Sequence, residues 1–247
     1  MNEGDFKKVF TEKCRLFDEA FCDEYFSGKE GAERVNQFET LKNELLLWNK
    51  KINLTSVTDE EEITVKHFID SISVIKRMRQ TAGRMIDVGS GAGFPGIPIK
   101  ILLKDLTVCL LDATAKKLKF SDFLINKLEL ENIFTHWGRA EDAGRAADFR
   151  ETWDICAARA LAPVNVLLEY CLPLLKVGGF LYVMKGPSDR EPPFENALNR
   201  LGGKHIGTEN FYLQGREFER NILVIEKVEK CDPKYPRKSG TPSKNPL

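Results

Sequence analysis

No stretch of the 247 residues approaches the ~18 consecutive apolar side chains of a membrane span. The opening residues also lack the apolar core of a signal peptide. Net charge is missing too: 37 basic side chains meet 37 acidic ones, so bulk basicity offers no argument for a polyanionic partner. Histidine is scarce, with three residues, and the six cysteines stand far apart, without a Cys-x-x-Cys pair or a Cys/His ligand spacing. That excludes a recognisable zinc pattern, and with no export signal the cysteines read as reduced thiols. Disorder is excluded by what is present. Hydrophobic residues make up 42% and aromatics 10%, enough for a chain of this length to bury about 70–75% of its unfolded surface without staples. The expectation is a soluble, cytoplasmic globular protein with no metal and no membrane contact.

The neutral total conceals a gradient. Residues 1–65 carry nine basic and fifteen acidic side chains, while near the end Lys230, Lys234, Arg237, Lys238 and Lys244 face only Glu229 and Asp232. Periodicity divides the chain into three parts. Through residues 1–80 apolar side chains recur at helical spacing: Phe6, Phe10, Phe17 and Phe21 within 5–26, then Val35, Phe38, Leu41, Leu45 and Trp48 within 32–48. Thr58, with Glu61 three positions on, is a capping box that predicts a third helix reaching about residue 77. Over 81–229, short apolar runs (85–88, 107–111, 132–136, 154–157, 180–184) alternate with helical patterns, the rhythm of crossover units on a parallel sheet. After a helix over 189–201, two extended runs at 204–213 and 219–228 predict an antiparallel hairpin completing the sheet. Residues 230–247 hold four prolines and predict a basic loop or tail.

Chemistry concentrates where the first of those strands ends. Asp87-Val88-Gly89-Ser90-Gly91-Ala92-Gly93-Phe94-Pro95-Gly96 is a strand running into a glycine-rich turn, with proline suited to a helix's first turn. Open α/β sheets bind ligands at this carboxyl edge. A dinucleotide fingerprint needs a third glycine where Phe94 stands, and Asp87 would repel a pyrophosphate. A sulfonium cofactor is cationic, so the same carboxylate favours S-adenosylmethionine. Asp112, closing the second strand, is placed to accept both ribose hydroxyls, which either cofactor needs. Gly89, Gly91, Gly93 and Asp112 are therefore candidate cofactor residues. NAD(P) stays as the alternative ligand, and a turn cap as the alternative role of Asp87.

Six stretches together resemble the RsmG (GidB) family: Asn53-Leu54-Thr55-Ser56, Lys66–Ser71, Asp87–Pro98, Gly138–Asp142, Ala158-Arg159-Ala160 and Tyr235–Pro242. The resemblance spans roughly residues 35–247. It implies an α/β fold with a Rossmann-like class I methyltransferase sheet, mostly parallel with an antiparallel last strand, and an N-terminal helical appendage. It also implies methyl transfer from S-adenosylmethionine to N7 of one guanine in 16S ribosomal RNA. The cofactor site it implies is Gly89, Phe94, Ala140, Glu141 and Arg159, all matched in this chain. Read alone, Ala140 and Glu141 follow the third strand by a few residues, where an adenine should lie with Phe94 or Leu111 over one face. Arg159 closes the fourth strand beside the transfer region. Glu141 as a helix-start acid and Arg159 as a surface ion pair are the plainer alternatives.

Missing signals discriminate among methyl acceptors. Exocyclic amines call for an Asn/Asp-Pro-Pro-aromatic loop after the fourth strand, and none is present. Attack at pyrimidine C5 needs a cysteine nucleophile, yet Cys156 lies within an apolar run and reads as buried. Guanine N7 has a lone pair and no proton, so alignment replaces acid–base chemistry, with Arg159 and Lys185 as positioning candidates. His67 reads as helix packing. Arg139, Lys185, Arg237 and Lys238 are candidate RNA contacts, the partner being 16S ribosomal RNA or the small-subunit particle and the chain a monomer. Two other functions stay open: an NAD(P)-dependent oxidoreductase, and a non-catalytic RNA- or ribosome-binding protein.

Overall fold

The computed structural model describes residues 3–159, 161–186, 192–215 and 217–247. Helices α1 (Glu3–Phe17), α2 (Glu19–Phe26) and α3 (Gly28–Asn49) open the chain. The periodic run over 5–26 is two helices because Asp18 interrupts it, its carboxylate accepting the Phe21 N–H at 2.8 Å to cap α2. The capping box expected at Thr58 is displaced by one residue. Asp59 caps α4 (Glu60–Ile63) through the Glu62 N–H at 2.9 Å, where a carboxylate suits the positive helix end better than a hydroxyl. A π-helical turn (Thr64–Ile69) and α5 (Asp70–Ser73) continue that stretch. Such widened turns cluster at functional sites, and this one carries Lys66 and His67.

Seven strands follow: β1 (Gly83–Val88), β2 (Leu106–Asp112), β3 (Ile133–Trp137), β4 (Trp153–Arg159), β5 (Leu175–Lys185), β6 (Gly203–Tyr212) and β7 (Glu219–Lys227). Their order is β3-β2-β1-β4-β5-β7-β6. β1 pairs in parallel with both β2 and β4, so the chain reverses its direction of travel across the sheet there, which opens a crevice at the strands' carboxyl ends. The hairpin forms as expected, with β7 running antiparallel between β5 and β6. Between strands lie α6 (Gly96–Leu102), α7 (Ala115–Lys127), α8 (Ala140–Ala143), α9 (Val164–Cys171) and α10 (Glu195–Leu201). The helix expected from 189 begins at Glu195; residues 187–191 lie outside the described residues.

Both sheet faces are covered, as the near-continuous apolar strands require. Met85, Val108, Leu110, Ile155, Tyr182 and Val224 point to one face, where Phe6, Phe10, Phe38 and Phe68 of the helical segment pack. Ile86, Cys109, Leu111, Cys156, Leu181 and Ile225 alternate to the other, against α9 and α10. No helix among the described residues is long and apolar enough to cross a membrane.

The end of the chain departs from the expected loose tail. Cys231 and Tyr235 are buried, and the Arg150 guanidinium donates to the carbonyls of Gly144, Tyr235 and Cys231 at 3.0, 2.6 and 2.8 Å. A short α11 (Thr241–Lys244) closes this strap. A few packing residues separated by prolines have no period to betray them, so the sequence pattern reads as a loop.

Candidate active site

The turn after β1 is built by hydrogen bonds from the neighbouring strand. Gly89 and Ser90 donate their N–H groups to the Leu111 carbonyl at 2.8 and 3.1 Å. Gly91 N–H reaches Asp112 Oδ2 at 2.8 Å, and Thr114 N–H reaches Asp112 Oδ1 at 2.7 Å. Each carboxylate oxygen keeps a second lone pair, which is what two ribose hydroxyls would need. Gly91 has φ +57°, and a Cβ there would meet nothing closer than 4.0 Å, whereas a Cβ at Gly96 would run into Leu110 and lie 2.9 Å from Asp87 Oδ2. The first glycine leaves room for a ligand, and the second lets α6 sit on the sheet.

Two cavities meet at this turn. One, of about 450 Å³, is lined by Leu111, Asp112, Arg139, Ala140, Glu141 and Tyr170 among others. The second, of about 420 Å³, is lined by Thr55, His67, Asp70, Phe94, Lys185 and Arg220 among others. Gly89, Gly91 and Arg159 border both. Either volume suits a small-molecule site.

Arg159 holds the wall between them. Its Nη1 donates to the Lys66 carbonyl and to Asp70 Oδ2, each at 3.0 Å, while Arg220 Nε donates to Asp70 Oδ1 at 2.9 Å. The guanidinium also lies 5.5 Å from the Phe94 ring centroid. Asp70 is buried, so the two arginines compensate its charge inside the protein. Burial, then the Arg159 charge, pushes His67 down to about 3, and the ring stacks on Phe94 with centroids 5.0 Å apart.

Several expected roles shift. Asp87 does not face the first cavity: it is fully buried, and its Oδ2 accepts the Gly96 N–H at 2.8 Å, the turn-cap alternative. Gly93 lines neither cavity, and a Cβ there would lie 2.4 Å from Ile97 Cδ1, so its glycine serves packing. Phe94 borders the second cavity and leaves Leu111 as the apolar wall of the first. Glu141 is buried at the first cavity with its Oε1 holding the strap through the Gly240 N–H at 2.8 Å. Lys185 is buried, its ammonium donating to the Ala162 carbonyl at 3.0 Å. Arg237 is not a free phosphate contact: its Nε and Nη2 hold the fully buried Glu169 at 2.8 and 2.6 Å. Arg139 and Lys238 remain exposed. Cys156 is buried on its strand, and burial raises its thiol well above the usual range. Thr55, Asp70 and Arg220 carry no role in the sequence reading. The first two sit in stretches that resemble the family, which was their only signal.

Burial pushes the Asp87 carboxyl up to about 7 against the opposing Gly96 hydrogen bond and Arg159 charge. The folded chain therefore holds this proton more tightly than the unfolded one. Its contribution to stability is complete below about pH 4 and is lost as pH rises towards 7. Asp87→Asn mimics the protonated form, so the stability of the variant relative to the native chain should rise by about 2–3 kcal/mol between pH 5 and 8. Urea midpoints at the two pH values measure it, and a difference independent of pH would contradict the assignment.

A seven-stranded sheet in this order, with β7 antiparallel and the crevice opening beside β1, is the Rossmann-like fold of the class I methyltransferases. Solved structures share the fold: a putative sarcosine dimethylglycine methyltransferase from Galdieria sulphuraria has a TM-score of 0.55 at 10% identity, over 78% of this chain and 99% of that one. The [4+2]-cyclase SpnF has a TM-score of 0.53 at 11% identity, over 79% and 96%, so the fold alone does not set the reaction. The chain belongs to the GidB family, described as rRNA small subunit methyltransferase G, which matches residues 34–199. It is 49% identical over 216 residues to the ribosomal RNA small subunit methyltransferase G of Acetivibrio thermocellus, covering 87% of this chain and 89% of that protein. The protein of the same name from Exiguobacterium sp. is 46% identical, over 87% and 91%.

Proposed function

We propose that this protein transfers the methyl group of S-adenosylmethionine to N7 of one guanine in 16S ribosomal RNA, working as a monomer in the cytoplasm. The observation that carries the reading is the pair of cavities sharing Gly89, Gly91 and Arg159, one for the methyl donor and one for the acceptor base. Bound in the first, S-adenosylmethionine supplies an electrophilic sulfonium methyl. Asp112 would take the ribose, Leu111 and Ala140 would sandwich the adenine, and the backbone at Gly89 and Gly91 would admit the remainder. Gly93 supports the turn by packing, and Glu141 ties the strap to the cavity wall. Residues 81–229 form the catalytic domain, 1–80 a helical segment packed on one sheet face, and 230–247 a strap over the other.

Guanine N7 needs no proton removed, so the chain's task is to hold it in line with the methyl and away from water. Arg159 and the carbonyl-bound Lys185 keep the walls of the second cavity in position. Arg139 and Lys238, both exposed, are the phosphate contacts this reading retains. Burial and the Arg159 charge hold His67 at about 3, so the ring binds a proton too weakly to serve as the base and does not titrate in the working range. A single-turnover rate nearly flat from about pH 6.5 to 8.5 is the expected result. A steep rise that disappears when His67 is replaced would contradict it.

The cofactor is tested by melting temperature. S-adenosylmethionine at a hundred times its Kd should stabilise the fold by about 2.7 kcal/mol, and NAD(P) should not shift it. The reverse pattern would restore the oxidoreductase reading.

A further inference from the structure

Thr55 sits in the polar stretch between α3 and α4, and Asn49 clamps its backbone. Asn49 Oδ1 accepts the Leu54 and Thr55 N–H groups at 2.8 and 3.0 Å, and Asn49 Nδ2 donates to the Thr55 carbonyl at 2.9 Å. The side chain is fixed as firmly. Thr55 Oγ1 accepts the Val57 N–H at 3.0 Å and lies 2.7 Å from His67 Nε2. On the far side of the imidazole, Arg159 Nη2 is 3.4 Å from Nδ1. The Lys66 carbonyl also lies within reach of the ring, but it accepts Arg159 Nη1 at 3.0 Å, and a guanidinium beside Nδ1 can only donate; Nδ1 therefore accepts, and the single proton of a neutral imidazole stands on Nε2, directed at Thr55. Stacking on Phe94, at an interplanar angle of 15°, holds the ring in that plane.

A hydroxyl oxygen has two lone pairs, and His67 and Val57 occupy both. What Thr55 has left to offer is its own proton, and it borders the second cavity beside Phe94, Arg159 and Lys185. We propose that the Thr55 hydroxyl is a directional hydrogen-bond donor that reads O6 of the target guanine, with His67 as the positioning residue that fixes its direction. The inference rests on the guanine-N7 reading above and deepens it. Along the N7 edge guanine presents two acceptors, N7 and O6, whereas adenine presents an acceptor and an amino donor. A hydroxyl forced to donate matches the first and opposes a hydrogen to the second. Sites built around such a bond reject the analogue that lacks it, because the buried donor is left unpaired.

The test is a cycle between enzyme and base. kcat/KM is measured for the native chain, Thr55→Val and Thr55→Ser on the small-subunit RNA fragment that the native chain methylates. The target carries either guanine or 2-aminopurine, which keeps N7 and lacks O6. Intrinsic differences in N7 reactivity cancel between enzymes. The guanine preference should shrink by about tenfold or more in Thr55→Val, the worth of one oriented hydrogen bond, and persist in Thr55→Ser. His67→Phe should shrink it as well, while a purely structural role would lower both substrates alike. An undiminished preference in folded Thr55→Val overturns the assignment, and Thr55→Ala gives the same comparison should the valine variant not fold. No methyl on the guanine fragment with the native chain would sink the guanine-N7 reading and this inference together.

Discussion

Gly91→Val is expected to fold and to lose S-adenosylmethionine. The glycine has φ +57°, where a side chain costs about 1–2 kcal/mol and a β-branched one more. Little else resists the change in the free protein, since a Cβ there meets only the Gly89 carbonyl oxygen and Lys117 Nζ, both at 4.0 Å. Gly91 borders both cavities, so the isopropyl group fills volume that a ligand needs. It also strains the Gly91 N–H bond that orients Asp112. The expected loss is on the order of 100-fold or more in cofactor affinity by calorimetry, with a cooperative unfolding transition retained. Native affinity in a folded variant would remove the turn from the cofactor site. Gly96→Ala is the contrasting case. Its Cβ would strike Leu110 and Asp87, and the fold itself should fail.

Arg237→Gln should cost stability before it costs RNA binding. Glu169 is fully buried and takes the Arg237 backbone N–H at 2.7 Å as well as its guanidinium. Removing one partner of a buried pair leaves an uncompensated charge, worth about 3–5 kcal/mol, or roughly 10 °C in a chain of this size. The strap should loosen with it. Because the strap's Ser243 lines the first cavity, and its Gly240 is bound to Glu141, cofactor affinity should fall too. Lys238→Ala provides the complementary result: unchanged stability and a salt dependence of RNA binding shallower by about one. An Arg237→Gln chain as stable as the native one, with only its salt slope reduced, would return Arg237 to the RNA surface.

What was legible in the sequence follows from which forces leave a period. The strands at 85–88 and 107–111 lie within β1 and β2 because a sheet buried on both faces demands uninterrupted apolar runs. The glycine turn was legible because only glycine serves where ligand and backbone must approach. Position 93 shows the limit of that inference: its glycine makes way for Ile97, and a one-dimensional motif cannot separate packing from binding. Asp87 differs from its sequence expectation for a related reason. A carboxylate one residue from the strand end points into the protein, while the neighbouring strand's Asp112 reaches the cavity. The second cavity is legible only in part: Phe94, Arg159 and Lys185 are candidates from the sequence, whereas Thr55, Asp70 and Arg220 are not. Thr55, Asp70, Arg159 and Arg220 come from segments up to 165 residues apart and converge only through folding. The strap has no signature in the sequence because its hold depends on Arg150, Glu141 and Glu169, all distant in the chain.

Two adjoining cavities sharing Gly89, Gly91 and Arg159 can bring a sulfonium methyl to a guanine N7. This transfer is tested most directly by incubating the native chain with S-adenosylmethionine labelled in its methyl group and unmodified 16S ribosomal RNA, free and within the small-subunit particle, and mapping the labelled atom. One methyl per RNA is expected, at N7 of a single guanine. Label on an exocyclic amine, on a pyrimidine carbon or on no nucleotide in either substrate would contradict it.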